Sequence, residues 1–174
     1  MLVRELRTER LILRPFRPED AEALYRLNGD PEVMRWLPKD EIFASLEEAE
    51  NFLRDYLRAA ETWPFARWAV TAKVSGDFLG WCGLREQANG RVDLGYRLLR
   101  EHWGKGYATE SSQAWLAYGF DQGGLTSIIA RTAAGNARSQ RTLEKLGFRL
   151  EGSFTDEDEG WEGLLYRCDR LINP

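Results

Sequence analysis

Apolar residues recur along this chain at two spacings, and the change from one to the other divides it into parts. Leu11 and Leu13, followed by Phe16, alternate with Arg and Ile, which predicts a strand over 10–16. Pro18-Glu19-Asp20 then opens a helix, with proline in the first turn and two acids favoured there by the dipole, and Ala21, Leu24 and Leu27 supply its apolar stripe. Asp30-Pro31-Glu32 opens a short second helix through Trp36, with Asp30 as its cap. Ser45-Leu46-Glu47-Glu48 has capping-box spacing, and Ala49, Phe52, Tyr56 and Leu57 predict one face of a third helix.

The middle of the chain changes period. Segments 67–74, 78–85 and 91–99 are rich in Trp, Val and Leu and are separated by Ser75-Gly76-Asp77 and Ala88-Asn89-Gly90. Those separators are turn chemistry, so an antiparallel meander is expected. Helical spacing returns at Tyr107, Ser111, Ala114, Trp115 and Tyr118. A short apolar strand follows over 127–131, then a helix from Asn136 in which Leu143 and Leu146 face inward and Gly147 is the C-cap. Segments 148–150 and 163–171 read as closing strands. The expected architecture is one α+β domain over 1–174, a three-layer arrangement of helices on a mixed, mostly antiparallel sheet of about seven strands. A parallel pair at its centre would let the sheet splay and admit an extended ligand.

The most informative stretch joins strand 91–99 to helix 107–120 through Arg100-Glu101-His102-Trp103-Gly104-Lys105-Gly106. Gly104 and Gly106 allow a sharp turn and a close backbone approach. A helix start presents unpaired N–H groups and the positive end of the dipole, and Lys105 adds charge, so the turn suits a pyrophosphate. It is neither a P-loop nor a dinucleotide fingerprint, because the spacing matches neither.

Composition narrows the field. The 174 residues are 43% hydrophobic and 30% charged, ordinary for a globular domain, and the net charge of −4 argues against a nucleic-acid partner. The sequence has no apolar run of membrane-spanning length and no signal-peptide core at its start, so a cytoplasmic protein with no membrane partner is expected. Cys82 and Cys168 read as two reduced thiols, and His102, the sole histidine, as a loop residue, so no metal site is expected. Composition leaves monomer and homodimer equally open.

Three motifs in order bring in a family. Trp103-Gly104-Lys105-Gly106-Tyr107-Ala108-Thr109-Glu110 resembles the coenzyme A signature of the GNAT N-acetyltransferases, in particular the RimJ/RimL branch. Asn136-Ala137-Arg138-Ser139, ending in Lys145-Leu146-Gly147-Phe148, is similar to that family's second cofactor segment, and Thr8-Glu9-Arg10-Leu11-Ile12-Leu13-Arg14-Pro15 to the branch's first strand. The resemblance implies acetyl-CoA as co-substrate. Trp103, Gly104, Lys105, Gly106, Tyr107, Ala108 and Thr109 would form the pyrophosphate loop. The backbone of Leu98 and Leu99 would pair with the pantetheine arm like an added strand, and Asn136 would touch the arm from the other wall. By the same resemblance the acceptor is a primary amine, first the α-amine of a protein or peptide N-terminus, with a small amine such as an amino acid, polyamine or aminoglycoside as the alternative.

For the chemistry, a protonated amine must lose a proton before attack, and a carboxylate can take it. Asp93 stands where many members of the family carry a basic Glu, and strand alternation leaves open whether it faces solvent instead. Many members protonate the departing thiolate with a Tyr in the helix after the second segment. Here that helix reads Ser139-Gln140-Arg141-Thr142-Leu143, which leaves Ser139 as the candidate donor beside its routine capping role. The missing Tyr also keeps a non-catalytic acyl-CoA-binding module in view. Glu110 carries no expected chemical role beyond charge near the helix start, Trp36 and Trp63 are candidates to line the acceptor pocket, and the acidic run 155–159 would attract cationic acceptors if it bordered the mouth.

Overall fold

Strands of a single eight-stranded sheet organise the molecule, for which a computed structural model describes residues 4–156 and 160–171. In chain order the elements are β1 (Leu6–Arg7), β2 (Leu11–Arg14), α1 (Ala21–Gly29), α2 (Pro31–Met34), α3 (Leu46–Ala60), β3 (Arg67–Ala72), β4 (Phe78–Glu86), β5 (Val92–Leu98), α4 (Tyr107–Asp121), β6 (Ser127–Ala133), α5 (Ala137–Lys145), β7 (Arg149–Asp156) and β8 (Trp161–Asp169). The sheet order is β1-β2-β3-β4-β5-β6-β8-β7, antiparallel throughout except where β5 meets β6. About seven strands were expected. The additional one is β1, which pairs with β2 through Leu6–Leu13 and Arg7–Ile12 and is too short for its period to register in the sequence. Strand β7 also runs well beyond the expected 148–150, with a bulge between Leu150 and Gly152.

Strand alternation sorts β5 into two faces. Val92 and Leu94 belong to the larger core, with Tyr96 packed against it, together with Trp115 and Leu116 of α4, Leu143 of α5 and Ile128 of β6. Arg97 and Asp93 face the other way, as does Leu99, which joins the core formed by Leu24, Leu27, Val33, Met34, Ala49 and Leu53 of α1–α3. Trp115 is 1% exposed and meets Trp68 edge-on at 4.9 Å. Burying so large a ring contributes roughly 3 kcal/mol, offset in part by an indole N–H that finds no hydrogen-bond partner among the described residues.

The helices begin largely as their caps direct. Asp30 accepts from Glu32 N, and Ser45 Oγ accepts from Glu48 N at 3.2 Å. The reciprocal half of the box differs, because the Glu48 carboxylate takes the N–H of Ala44 in place of Ser45. On α3 the inward stripe is rotated from the expected one: Leu53 is 1% exposed, whereas Phe52 is 49% exposed and leans on Phe43 at the rim. Among the described residues no helix is long and apolar enough to cross a membrane.

One register detail positions the site. Strands β4 and β5 pair from Glu86–Val92 to Gly80–Leu98, whereas β5 and β6 share the single parallel pair Asp93–Ile129. Beyond it the two strands run the same way without partners, which opens a wedge toward the C-terminal ends of both. The glycine turn and the start of α5 sit at that open end.

Candidate functional site

Backbone geometry builds one end of the wedge. After β5 the chain makes a 3-10 turn over Arg100–His102, and Gly104 and Gly106 follow with φ of 74° and 82°. These left-handed values favour glycine. Gly106 caps α4 with no side-chain cap bond, and Glu110 N donates to Gly106 O as the first rung of the helix. The N–H groups of Tyr107, Ala108 and Thr109 therefore precede the ladder and point out of the helix start. A Cβ placed on Gly104 would meet nothing within 4 Å, so the space over the turn is open. With exposed Lys105 beside it, the turn fits a pyrophosphate through orphan donors, open space and positive charge.

Glu110, for which the sequence offered no role, fastens this turn to the N-terminal hairpin. Its carboxylate accepts from Thr8 Oγ1 at 2.6 Å, Arg10 N at 2.8 Å and Arg10 Nε at 2.7 Å. The Arg10 guanidinium continues to Lys105 O at 3.0 Å and lies 4.6 Å over the Tyr107 ring. Burial pushes the Glu110 pKa up, but the bonds from Thr8 and Arg10 and the Arg10 charge outweigh it and hold the carboxyl below its ordinary value. Only a contact a hundred residues away reveals that role.

Leu98 and Leu99 turn their backbone groups to opposite edges of β5. Leu99 N donates to Leu79 O and Leu99 O accepts from His102 N, both at 2.9 Å, so Leu99 has no backbone group to offer an arm in the wedge. Because backbone direction alternates along a strand, Leu98 turns its N–H and C=O to the opposite edge, toward β6. Its carbonyl accepts the Trp103 indole N–H at 2.8 Å, which leaves the Leu98 N–H as the donor facing the wedge. Trp103 is also covered by Arg138 of α5, whose guanidinium lies 4.3 Å from the ring centroid, so this contact spans the opening.

On the facing wall Asn136 caps α5, its Oδ1 accepting from Ser139 N at 3.2 Å, which leaves the Nδ2 group for other contacts. Ser139 Oγ lies 3.1 Å from the hydroxyl of Tyr96 on β5. Burial pushes the Tyr96 pKa up to about 12. Trp36 reaches the same corner, since its ring fills the space that a Cβ on Gly135 would take. Trp63 packs instead on Tyr56 and under Arg85. Arg85 is the β4 partner of Asp93, so Trp63 stands at the closed base of the wedge. The acidic run lies largely outside the described residues, which omit 157–159.

The α1–α3 side of the sheet is built from paired charges. Arg67 extends over Gly83 and Gly95 to Asp93, its Nη2 lying 3.1 and 3.0 Å from the two carboxylate oxygens, and Gln87 Nε2 donates to Oδ1 at 2.6 Å. Asp93 is 6% exposed, so it is not the solvent-facing strand residue that alternation allowed. Nor does it present an open carboxylate to the wedge, as an available base would. A second buried cation, Arg97, donates to Asn28 Oδ1 at 2.7 Å and to the Glu41 carboxylate. Burial lowers the Arg97 pKa against the opposing pull of Glu41. The Trp81 ring lies between the two guanidiniums, 5.4 Å from that of Arg67 and 5.2 Å from that of Arg97. Cys82 is buried in β4 and Cys168 half-buried in β8, both as free thiols.

A sheet splayed at one parallel pair, with a glycine turn feeding a helix at its mouth, has close counterparts among known proteins. The model of the acetyltransferase (GNAT) domain matches residues 10–149. The chain belongs to the GNAT acetyltransferases. An uncharacterized N-acetyltransferase p20 of Bacillus licheniformis is 33% identical over 92% of this chain and 90% of its own. The crystal structure of a GNAT-family acetyltransferase from Bacillus anthracis superposes with a TM-score of 0.83 at 28% identity, over 95% of this chain and 98% of that one. RimL, a ribosomal L7/L12 α-N-protein acetyltransferase solved with coenzyme A, shares the fold with a TM-score of 0.81 over 95% and 97% of the two chains; at 17% identity that likeness concerns the fold alone. As a GNAT member, the protein is an N-acetyltransferase, and the expected class, a mixed and mostly antiparallel open sheet flanked by helices, is the one observed.

Proposed function

We propose that the protein transfers the acetyl group of acetyl-CoA to the α-amine of a peptide or protein N-terminus, by direct attack with both substrates bound. The observation that carries the reading is the wedge beyond Asp93–Ile129, with the Leu98 N–H on one wall, Asn136 and Ser139 on the other, and the N–H groups of Tyr107 to Thr109 at its mouth. An extended arm laid in the wedge replaces the missing strand pairing on β5. Its phosphates meet the orphan donors and Lys105.

In this arrangement the Leu98 N–H polarises the thioester carbonyl, and the Ser139 hydroxyl hydrogen-bonds the departing sulfur. Much of the rate comes from holding a neutral amine against the carbonyl. Asp93 is assigned to fixing the Arg67 side of the sheet, because its buried carboxylate is taken up by Arg67 and Gln87 and is not presented to the wedge, and loss of the amine proton falls to solvent. The N-terminal acceptor is supported by the resemblance of segments 8–15 and 103–110 to the RimJ/RimL branch.

The test is release of coenzyme A thiol from acetyl-CoA with acceptors identified by mass spectrometry. The panel contains peptides beginning with Ala, Ser or Met beside amino acids, polyamines and aminoglycosides. Turnover with peptides alone is expected. Turnover confined to small amines would replace the acceptor and keep the enzyme.

A further inference from the structure

The α5 helix carries no tyrosine, yet a tyrosine hydroxyl from another element reaches its first turn beside Ser139. Tyr96 rises from β5 on the α4–α5 face of the sheet, and its Oη lies 3.1 Å from Ser139 Oγ and 3.3 Å from Ser139 O. The carbonyl lies inside α5, where Leu143 N is its helical partner, so the serine hydroxyl is the better acceptor for the phenol. We propose that Tyr96 is a positioning residue that donates its proton to Ser139 Oγ and thereby turns the Ser139 O–H toward the sulfur of bound coenzyme A; this rests on the acetyl-transfer reading above.

The geometry gives each hydroxyl one task. A serine hydroxyl has one proton and two acceptor sites. Left alone at the start of α5, it rotates toward whatever acceptor is nearest, including backbone carbonyls of its own turn. With one lone pair held by Tyr96, the serine proton is kept off the β5 side and is free to point into the wedge. Tyr96 itself is held by packing, partly buried, against the larger core beside Cys82, its cross-strand partner. Its pKa of about 12 means that it remains a phenol, hence a donor, at all ordinary pH.

In the reaction the amine nitrogen bonds to the carbonyl carbon, the C–S bond breaks, and its electron pair leaves on sulfur. Ser139 donates a hydrogen bond to that thiolate and keeps its proton. Nitrogen sheds one proton to solvent as the amide forms, and sulfur takes one from solvent on release. Neither hydroxyl ionises, so the pair needs no external base.

The experiment compares binding of coenzyme A and desulfo-coenzyme A by calorimetry at a pH where the thiol is largely ionised, using wild type, Ser139→Ala, Tyr96→Phe and the double variant. Desulfo-coenzyme A should bind all four equally. The advantage of coenzyme A over it should fall about 10-fold in each single variant, the size of a hydrogen bond to a charged acceptor, and no further in the double. With acetyl-CoA and an active acceptor, kcat should fall in both single variants while KM for acetyl-CoA stays. Loss in Ser139→Ala with an unchanged Tyr96→Phe would overturn the assignment of Tyr96 and leave the cofactor reading intact. A larger KM or weaker desulfo-coenzyme A binding in Tyr96→Phe would reduce it to a packing residue. No binding of coenzyme A by the wild type would remove the cofactor reading and this proposal together.

Discussion

The two faces of β5 solve opposite problems with opposite materials. Toward α4 and α5, the site consists of main-chain groups, namely two left-handed glycines, the unladdered N–H groups of a helix start and one strand N–H, with hydroxyls from Ser139 and Tyr96. Toward α1–α3, it consists of long charged side chains, Arg67 reaching across the sheet to Asp93 and Arg97 reaching off the sheet to Glu41 of the turn 39–41, with Trp81 close to both guanidiniums. A backbone site recognises a common group such as phosphate and leaves a local signature. A side-chain site is set by long-range pairing, so it can be retuned by single substitutions.

The contrast is tested most severely at Arg67. Arg67→Met leaves Asp93 buried without its partner and should cost about 3–5 kcal/mol of stability in urea unfolding. Adding Asp93→Leu should recover most of the loss, because the penalty belongs to the orphaned charge and not to the missing pair. On the backbone side, Gly106→Val forces a β-branched residue to φ near 82° and brings its Cβ within 3.3 Å of Arg10. The expected result is loss of coenzyme A affinity by about 30-fold or more in calorimetry, the equivalent of roughly 2 kcal/mol of backbone strain. Unchanged affinity would separate the turn from the phosphates.

Asp93→Asn sharpens the division of labour. With Asp93 as an ion-pair residue, kcat should change within about 3-fold and the pH–rate profile should keep its shape. A drop of about 100-fold with loss of the acidic limb would make Asp93 the base. Glu110→Gln should have the smallest effect, about 1 kcal/mol at pH 7. The Glu110 carboxyl is held below its ordinary value in the folded protein, so its contribution is complete above the unfolded value of 4.5 and fades as pH falls through the lower folded value. Melting curves of wild type and variant should therefore converge on acidification.

Legibility followed the same division. The meander, the glycine turn, the caps at Asp30 and Ser45, the helix start at Asn136, and the parallel centre are written in local period and turn chemistry, and each appears in the structure at or near its expected place. The roles of Asp93 and Glu110 were not legible, because each depends on an arginine far away in sequence, Arg67 and Arg10. Leu99 illustrates a subtler limit. Its position was expected, but which way its N–H points depends on the register with Leu79. Phe52 shows that a helix stripe read from residue type can rotate by one position when Leu53 fits the core better.

The single Asp93–Ile129 contact also has a consequence for how the molecule breathes. Two half-sheets joined at one rung behave as leaves on a common spine, and amides such as the Leu98 N–H that line the gap are left to water until an occupant pairs with them. Amides on those inner edges should exchange hydrogen rapidly, while those shared by β4 and β5 or by β6 and β8 stay protected. An occupant that bridges the gap would slow exchange on both leaves at once, so ligand affinity and the cohesion of the sheet are one thermodynamic quantity measured in two ways.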